Sequence, residues 1–328
     1  MGTSTAQRTP QTRPAGHRAV LGGRTRADRK LAREGISLRD SGITERTRLR
    51  YINALLPLLA IIETIVSIHD LDQVCEEWIE FQWHAGSTLG SIGDALCGLQ
   101  FYWPETKGYL RSSWKLYKNW RRIEIPSRAP PISALVVQAF ISYLLDDNEV
   151  TAAFLIGLGF HAYLRTGELL SLQFRDLQLG TSTGVVTVRG GKSGLRHNID
   201  EAVALYDAFI VQLGQVIRLM DHNQHPTSPV WPYSAASFRK VFNKCVQKFH
   251  LTTELEYKPY SLRRGGATHD YMKRGVLEPI LLRGRWHSLA VARLYLEDGL
   301  AQLPSLCLSP STLAQLHRSS KGYRHLFN

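Results

Sequence analysis

The sequence is poor in cysteine and has no long uninterrupted apolar run, and these two shortages exclude several classes of protein. Its four cysteines are scattered and none belongs to a C-x-x-C pair, so neither a disulfide framework nor a cysteine zinc site is indicated. The most apolar stretch, "YINALLPLLAIIETIVSI", is interrupted by Pro57 and Glu63 and stops short of a membrane span. The N-terminal residues contain no apolar signal segment. We therefore expect an intracellular protein with no membrane partner.

Motifs that bind cofactors or metals are also missing. The "GGKS" of residues 190–193 looks like the end of a phosphate-binding loop, but that motif requires glycine where this chain has Val186. The "HNQH" at residues 222–225 is interpreted as a loop. No zinc-ligand spacing and no nucleophile elbow occurs. We expect no cofactor and no bound metal.

Positive charge is what the sequence has in excess. Forty lysine and arginine residues face 28 acidic ones, for a net charge of +12, and 44% of the residues are hydrophobic. This balance supports one or two globular domains and favours a polyanionic partner, with nucleic acid fitting best. The alternative is a basic surface that serves solubility alone, and the positions of the charges must decide between the two.

Composition divides the chain into four segments. Residues 1–40 are rich in arginine, threonine, glycine and proline and predict a flexible basic arm. Residues 41–124 carry apolar positions at helical spacing in four stretches, which predicts a small four-helix domain. The proline-rich "IEIPSRAPPIS" indicates a linker into a second domain, residues 125–300. The tail, residues 301–328, contains the amphipathic "STLAQLHR", which could dock on its own domain or on a neighbouring subunit.

The second domain is predicted to be mainly α with a small β-hairpin or sheet, an α+β arrangement. "SALVVQAFISYLL" and "VTAAFLIGLGFHAYL" have the composition of buried helices. "GVVTVRGGKSGLRHNI" differs, because β-branched residues lead into a glycine-rich turn, which predicts a β-hairpin. Helices are predicted to resume with "EAVALYDAFIVQLGQVIRLM".

Candidate chemistry first appears around the hairpin and just before it. Arg165 and Glu168 are three residues apart, so on a helix they share a face and the carboxylate can orient the guanidinium. The alternative is a structural ion pair. Lys192 lies at the predicted hairpin tip, where an ammonium group can reach a bound phosphate, although an ordinary solvated lysine fits the same position.

Further candidates follow near the end of the second domain. Arg263 and Arg264 lie near a helix start, where the dipole disfavours cations, so an anionic ligand explains them better than a generic basic patch does. The two glycines that follow allow a close approach to the backbone. Tyr295 falls nine residues after Trp286. Taken singly, each of these aromatic residues is as easily a core residue.

Taken in order, these residues resemble the tyrosine recombinase (phage integrase) family, including its Cre-like members. The stretches that carry the resemblance are "AYLRTGELLSLQFRDL", "VVTVRGGKSGLRHNI", "YSLRRGGAT" and "LLRGRWHSLAVARLYLED". The resemblance runs from about Thr44 to about Gly299. It implies that residues 125–300 are a tyrosine recombinase catalytic domain and that residues 41–124 are the family's helical, SAM-like core-binding domain.

The resemblance implies site-specific DNA cleavage and rejoining through a 3′-phosphotyrosyl intermediate. Tyr295 would be the nucleophile. Arg165 and Arg263 would clamp the oxygens of the scissile phosphate, since planar forks suit phosphate and stabilise the charge of the transition state. Lys192 would protonate the departing 5′ oxygen. Rejoining would need no ATP, because the bond energy is conserved in the phosphotyrosyl link.

The remaining catalytic positions complete the expected site, with one departure from the family pattern. Trp286 would donate its N–H to a phosphate oxygen and pack beside the nucleophile, and Glu168 would hold Arg165. Tyr260 stands where the family has histidine or lysine, and a phenol is a poor general base near neutral pH. Proton removal from the nucleophile would then use His287, His269 or water. This departure leaves open a DNA-binding protein with little cleavage; a type IB topoisomerase-like relaxing activity is a further alternative.

Contacts with DNA are expected mainly from the last helix of the first domain, "KGYLRSSWKLYKNWRR". Its basic side chains can reach phosphates while its aromatic residues, Trp114, Tyr117 and Trp120, pack inward. The expected partner is double-stranded DNA, with a homotetramer on paired sites and a DNA-associated location in nucleus, cytoplasm or nucleoid. The predicted DNA-binding residues are Lys107, Arg111, Lys115, Lys118, Arg121, Arg122 and Arg264.

Overall fold

A computed structural model describes most of the chain. The residues that it describes are 25–27, 30, 34, 42–62, 67–124, 128–189, 200–220, 225–251, 256–296, 299 and 307–325. They form two compact units, and the boundary lies between Arg128 and Ala129. None of the described helices is long and apolar enough to span a bilayer.

The first unit contains the four predicted helices. They are α1 Glu45–Ile62, α2 Ile68–His84, α3 Leu89–Tyr102 and α4 Arg111–Ile123. Helix α1 packs against α3 and α2 packs against α4, around a core of leucine, isoleucine, cysteine and tryptophan side chains. The start of α4 is capped from another helix, since the carboxylate of Asp72 accepts from the main-chain N–H groups of Ser112 and Ser113 at 3.0 Å.

The second unit is mainly helical around one large core. Its described helices are α5 Ala134–Asp146, α6 Val150–His161, α7 Thr166–Leu170, α8 Ala208–Met220, α9 Ala235–Lys248, α10 Ser261–Arg274, α11 Glu278–Gly284, α12 Leu289–Arg293 and α13 Pro310–His325. The two most apolar helices, α5 and α6, pack against each other, and α6 also packs against α10. Helix α13, in the tail, packs along α5 of the same unit through Leu316 and Tyr323.

A three-stranded antiparallel sheet accompanies these helices, which confirms the predicted fold class. The strands are β1 Leu177–Leu179, β2 Gly184–Val188 and β3 Glu201–Leu205, in the order β1-β2-β3. Val186 in the central strand is opposite Leu177 on one side and Val203 on the other. The hairpin tip, residues 190–199, lies outside the described residues.

One part of the secondary-structure prediction is wrong. The "EAVAL" that opens "EAVALYDAFIVQLGQVIRLM" was expected to be helical but is strand β3, and the helix starts only at Ala208. Val203 and Leu205 alternate inward along the strand. Pairing with β2 outweighs the local helical preference of these alanine-containing residues.

The two glycines at the start of α10 bring main chains into contact. A Cβ on Gly265 would lie 2.0 Å from the main-chain oxygen of Ile132, and one on Gly266 would lie 1.8 Å from that of Phe160. The close approach predicted at these glycines is therefore made by the protein's own backbone. It presses α10 against α6 and so fixes the position of Arg263, which precedes the glycines.

Candidate active site

Arg165 and Glu168 occupy the start of the short helix α7. Arg165 is the N-cap residue with extended backbone, and Glu168 lies in the first turn. The Glu168 carboxylate accepts a hydrogen bond from the main-chain N–H of Arg165 at 2.9 Å and another from its guanidinium at 2.5 Å. A carboxylate in the first turn is also favoured by the helix dipole. Glu168 therefore holds both the main chain and the side chain of Arg165.

Three arginines converge on Glu168. Its carboxylate accepts from Arg285 at 2.5 Å and lies 3.9 Å from Nη1 of Arg263. Burial alone would raise the pKa of Glu168, but the charges of Arg285 and Arg165 outweigh burial and lower it. Glu168 is therefore ionised at neutral pH, and together with the three arginines it leaves an excess of positive charge.

Arg263 lies in the first turn of α10 and is completely buried. Its guanidinium donates to the main-chain oxygens of Tyr163 and Gly284, the latter at 2.7 Å. Burial lowers the pKa of Arg263 to about 10, and the nearby Arg165 and Arg285 act in the same direction. Its Nε is also buried and has no hydrogen-bond partner in the part of the chain that the structure describes. Arg263 is thus a cation at neutral pH, and its buried Nε–H remains for an anion.

Trp286 and Tyr295 cover Arg263 with stacked rings. Their ring centroids are 4.5 Å apart. The guanidinium carbon of Arg263 lies 5.0 Å from the Trp286 centroid and 5.2 Å from that of Tyr295. Gly284 leaves room for the indole, because a Cβ there would lie 2.4 Å from it. The indole N–H of Trp286 is buried and, among the described residues, has no hydrogen-bond partner.

The phenols of Tyr295 and Tyr260 form a pair beside these arginines. Their ring centroids are 6.1 Å apart, and Tyr260 is 36% exposed. Burial alone would raise the pKa of Tyr295, but the hydrogen bond with Tyr260 and the charges of Arg263 and Arg165 lower it. Burial and the same hydrogen bond raise the pKa of Tyr260. Of the two phenols, Tyr295 therefore ionises first.

Comparison with solved structures identifies the fold. The Tn1549 transposon integrase in complex with transposon right end DNA is 12% identical over 82% of this chain and 96% of that chain, with a TM-score of 0.58. A lambda integrase dimer bound to a COC' core site is 15% identical over 80% of this chain and 74% of that chain, with a TM-score of 0.54. This chain has the tyrosine recombinase fold.

A third similar structure is the XerH site-specific recombinase bound to palindromic difH substrate. It is 18% identical over 74% of this chain and 75% of that chain, with a TM-score of 0.50. A scan against protein-family models finds no match, and neither does a comparison with curated protein sequences. The recombinase fold is therefore visible in the arrangement of elements while most of the sequence differs.

Two of the cations that the sequence predicts to contact DNA are Lys192 and Arg264. Lys192 lies outside the described residues. Arg264 is 1% exposed, and its guanidinium donates to the main-chain oxygens of Ala129 at 2.8 Å and Leu294 at 3.1 Å. These contacts tie the start of the second unit to the segment that carries Tyr295. The geometry gives Arg264 a structural task, and a contact between Arg264 and DNA stays a prediction.

The two histidines considered as proton acceptors are placed differently from each other. His287 is exposed, next to Trp286. His269 lines a polar cavity of about 480 Å³ together with His161 and Asp207, and Tyr295 is not among the residues that line it. Burial lowers the pKa of His269. His269 is therefore a neutral base that faces a different space from the tyrosine pair.

Helix α4 of the first unit carries a basic stripe. Arg111, Lys115, Lys118 and Arg122 are all exposed and lie within about 60° of one another around the helix axis, at 3.6 residues per turn. In the part of the chain that the structure describes, none of the four belongs to an ion pair. Lys107 and Arg121 are exposed nearby. We define Arg111, Lys115, Lys118 and Arg122 as the α4 stripe.

The aromatic residues of α4 pack inward, opposite the α4 stripe. Trp120 is buried with its ring edge-on to Trp83 at 4.9 Å, and Trp114 and Tyr117 pack against the same core. The helix thus separates a core face from a cationic face, as the sequence predicted for its aromatic residues. The cations are free to meet phosphates without disturbing the fold.

Sequence reasoning missed Arg285 and Glu201. The Arg285 side chain contacts Glu168 and lies 3.3 Å from the carboxylate of Glu201 at the start of β3. Glu201 was missed because its segment was expected to be helical. Arg285 could have been found as a charged residue that stands between Gly284 and Trp286 at the end of a helix. Both of these neighbours are buried in the structure.

Proposed function

We propose that the chain cleaves and rejoins DNA, with Tyr295 as the nucleophile. The observation that carries the proposal is a pair of buried N–H donors, Nε of Arg263 and the indole N–H of Trp286, that lack partners among the described residues. Both belong to groups that contact the Tyr295 ring. Both lie beside one tyrosine ring and among cationic arginines, so an anion at this position would satisfy both donors.

The chemistry follows from the charges around that anion position. The Tyr295 phenol gives its proton to water, its oxygen attacks the phosphorus, a 3′-phosphotyrosyl bond forms, and the bond to the 5′ oxygen breaks. Arg165 and Arg263 stabilise the negative charge that grows on the non-bridging oxygens. Lys192, outside the described residues, is the predicted donor of the proton that the 5′ oxygen takes up. No energy source is needed for rejoining, since the 5′ hydroxyl attacks the same phosphotyrosyl bond in reverse.

Tyr260 fits this chemistry as a hydrogen-bond donor rather than as a base. Its phenol keeps its proton longer than that of Tyr295 does, because burial and their shared hydrogen bond raise the pKa of Tyr260. The donated hydrogen bond favours the phenolate of Tyr295. The departure from histidine or lysine at this position therefore changes how the nucleophile is activated and does not remove its activation.

The proposed partner is double-stranded DNA. The α4 stripe is exposed and cationic, and the similar Tn1549 and lambda integrases are recorded bound to DNA. Each phosphate that a lysine or arginine neutralises releases counterions, so affinity should fall steeply with salt. We further propose a homotetramer on two paired duplexes, with site-specific recombination as the outcome and a DNA-associated location.

The deciding experiment is a covalent trapping assay on nicked and supercoiled DNA, resolved on a denaturing gel. The wild type should form a protein–DNA band without metal or ATP, and Tyr295→Phe should form none. Tyr233→Phe is the matched control, because Tyr233 is 67% exposed in the same unit, and it should form the band normally. Equal bands from the wild type and Tyr295→Phe would refute the assignment of the nucleophile.

The second candidate is a DNA-binding protein with little cleavage. One observation favours it: two of the five N–H groups of Arg263, one on each Nη atom, already donate to main-chain oxygens, so fewer remain to meet a phosphate. Salt-dependent DNA binding by the wild type and by Tyr295→Phe, with no covalent band from either, would support this candidate. Tyr260→His would then test whether the phenol at this position limits cleavage.

A further inference from the structure

Arg285 meets two unfavourable conditions at one position. Its backbone is left-handed, with φ of 56°, at the C-terminal cap of α11, where glycine is the usual residue. Its side chain is only 4% exposed, and a buried cation is costly unless it is paired. A charged residue at such a position requires a strong compensating interaction.

Two carboxylates from different elements supply that interaction. Nη2 of Arg285 lies 2.5 Å from Glu168 of α7, and its Nε lies 3.3 Å from Glu201 of β3. Both carboxylates are themselves largely buried, with side chains 7% and 12% exposed. Glu201 is in turn paired along the sheet with Val188 of β2. Arg285 thus joins helix α7, the sheet and the segment that leads into Trp286.

The two carboxylates of this cluster have different sets of partners. Glu201 shares the charge of Arg285 with Glu168, and Glu168 also binds Arg165 through both the main chain and the guanidinium. Arg165 is the more exposed of the arginines around Glu168, with 24% of its side chain accessible. Its orientation depends on where Glu168 is held, and the buried Arg285 is a second side chain that holds Glu168.

We propose that Arg285 is a positioning residue that bridges Glu168 to Glu201 and thereby sets Arg165 for binding a phosphate group. The proposal rests on the proposed function, because it assigns Arg165 the same task. Well-packed apolar residues in place of the whole bridge, Arg285 with both carboxylates, would satisfy the fold at least as well, since buried ion pairs seldom stabilise more than such a replacement. The presence of a bridging arginine here therefore points to orientation of the site.

The test measures oxyanion binding by the DNA-free protein, with orthovanadate as the probe and calorimetry as the readout. Arg285→Gly removes both ion pairs and suits the left-handed backbone, and Glu201→Gln removes only the pair with β3. Each should weaken vanadate binding about tenfold or more, because a small misplacement of a binding group has effects of that size or larger. Glu256→Gln is the control, since Glu256 is an exposed acid whose ion pair is with Lys258.

Arg285→Lys distinguishes orientation from charge alone. Lysine keeps the charge, but a single ammonium cannot span two carboxylates as a guanidinium does, so we expect only partial recovery relative to Arg285→Gly. The double variant Arg285→Gly with Glu201→Gln should bind vanadate no more weakly than Arg285→Gly, because both changes break the same bridge. All titrations are made well below the unfolding temperature of each variant.

Several outcomes would overturn the proposal. They are vanadate binding by Arg285→Gly and Glu201→Gln that equals the wild type, no vanadate binding by the wild type, and failure of both variants to fold. If Arg285→Gly alone does not fold, Glu201→Gln decides. The covalent trapping assay on the same proteins keeps the two ideas apart: a wild type that binds vanadate but forms no covalent band refutes the proposed cleavage, and vanadate still decides the role of Arg285.

Discussion

Replacing Glu168 with glutamine should destabilise the second unit strongly. Its carboxylate is paired with Arg165 and Arg285 and lies 3.9 Å from the fully buried Arg263. Removing one partner from a buried ion pair leaves an uncompensated charge and costs about 3–5 kcal/mol. Glutamine keeps the volume and one acceptor oxygen, so we expect a loss of about 3 kcal/mol, at the lower end of that range.

Thermal and urea unfolding at neutral pH measure this loss. For a unit of this size, about 3 kcal/mol corresponds to a fall in the melting temperature of roughly 10 °C. The control is Glu256→Gln, because the Glu256 side chain is 73% exposed and pairs with Lys258 at 2.9 Å. An exposed pair contributes about 0–1 kcal/mol, so this control should unfold close to the wild type.

The effect of Glu168→Gln should depend on pH in a defined direction. The neighbouring arginines hold the pKa of Glu168 below its ordinary value against the opposing effect of burial. Its carboxylate therefore stabilises the fold above the unfolded pKa of about 4.3, and this contribution is lost as the pH falls through the lower, folded pKa. The difference between wild type and Glu168→Gln should thus shrink on acidification. A variant as stable as the wild type at neutral pH, with the same acid sensitivity, would refute the ion-pair reasoning.

Three further predictions concern the packing, the nucleophile and the DNA surface. Gly266→Ala should lower the free energy of unfolding, measured in urea, by about 4 kcal/mol or more, because its Cβ would lie 1.8 Å from a main-chain oxygen of α6. Gly167→Ala is the control, because no atom lies within 4 Å of its Cβ, and it should lower the free energy of unfolding far less. Tyr260→Phe should raise the pKa of Tyr295, since the phenolate loses a donor; carbon-13 NMR titration of the tyrosine rings measures it, and an unchanged titration would contradict the pairing. Lys118→Ala should reduce the slope of log affinity against log salt by about 1 if it contacts a phosphate, and an unchanged slope would remove this residue from the DNA surface.

Much of the candidate site is visible in the sequence because its parts are local. Arg165 and Glu168 are one helical turn apart, and Tyr295 follows Trp286 by nine positions, which brings both rings over one arginine. The helices of the first unit and the inward aromatic face of α4 follow from apolar spacing alone. Short-range periodicity predicts such features, since the geometry of a helix fixes which residues share a face.

Other features depended on partners that are distant in the chain. "EAVAL" is a strand because β2 pairs with it, and nothing within those residues outweighs their helical preference. Arg264 resembles its neighbour Arg263 in sequence, but packing sends its guanidinium to main-chain oxygens of residues 129 and 294. Adjacent arginines on a helix point about 100° apart, so the surrounding elements decide what each one meets.

The sequence by itself determined the net charge, the order of the arginines and the tyrosine, and the alternation of core and cationic faces on α4, because each of these is a property of residues close together in the chain. Only the tertiary structure decided that Glu168 joins Arg165 to Arg285, which lies 117 residues from Glu168 in the chain, and that the rings of Tyr260 and Tyr295 lie side by side. Those pairings depend on burial, which strengthens electrostatic interactions and selects partners by position in the fold and not by distance along the chain.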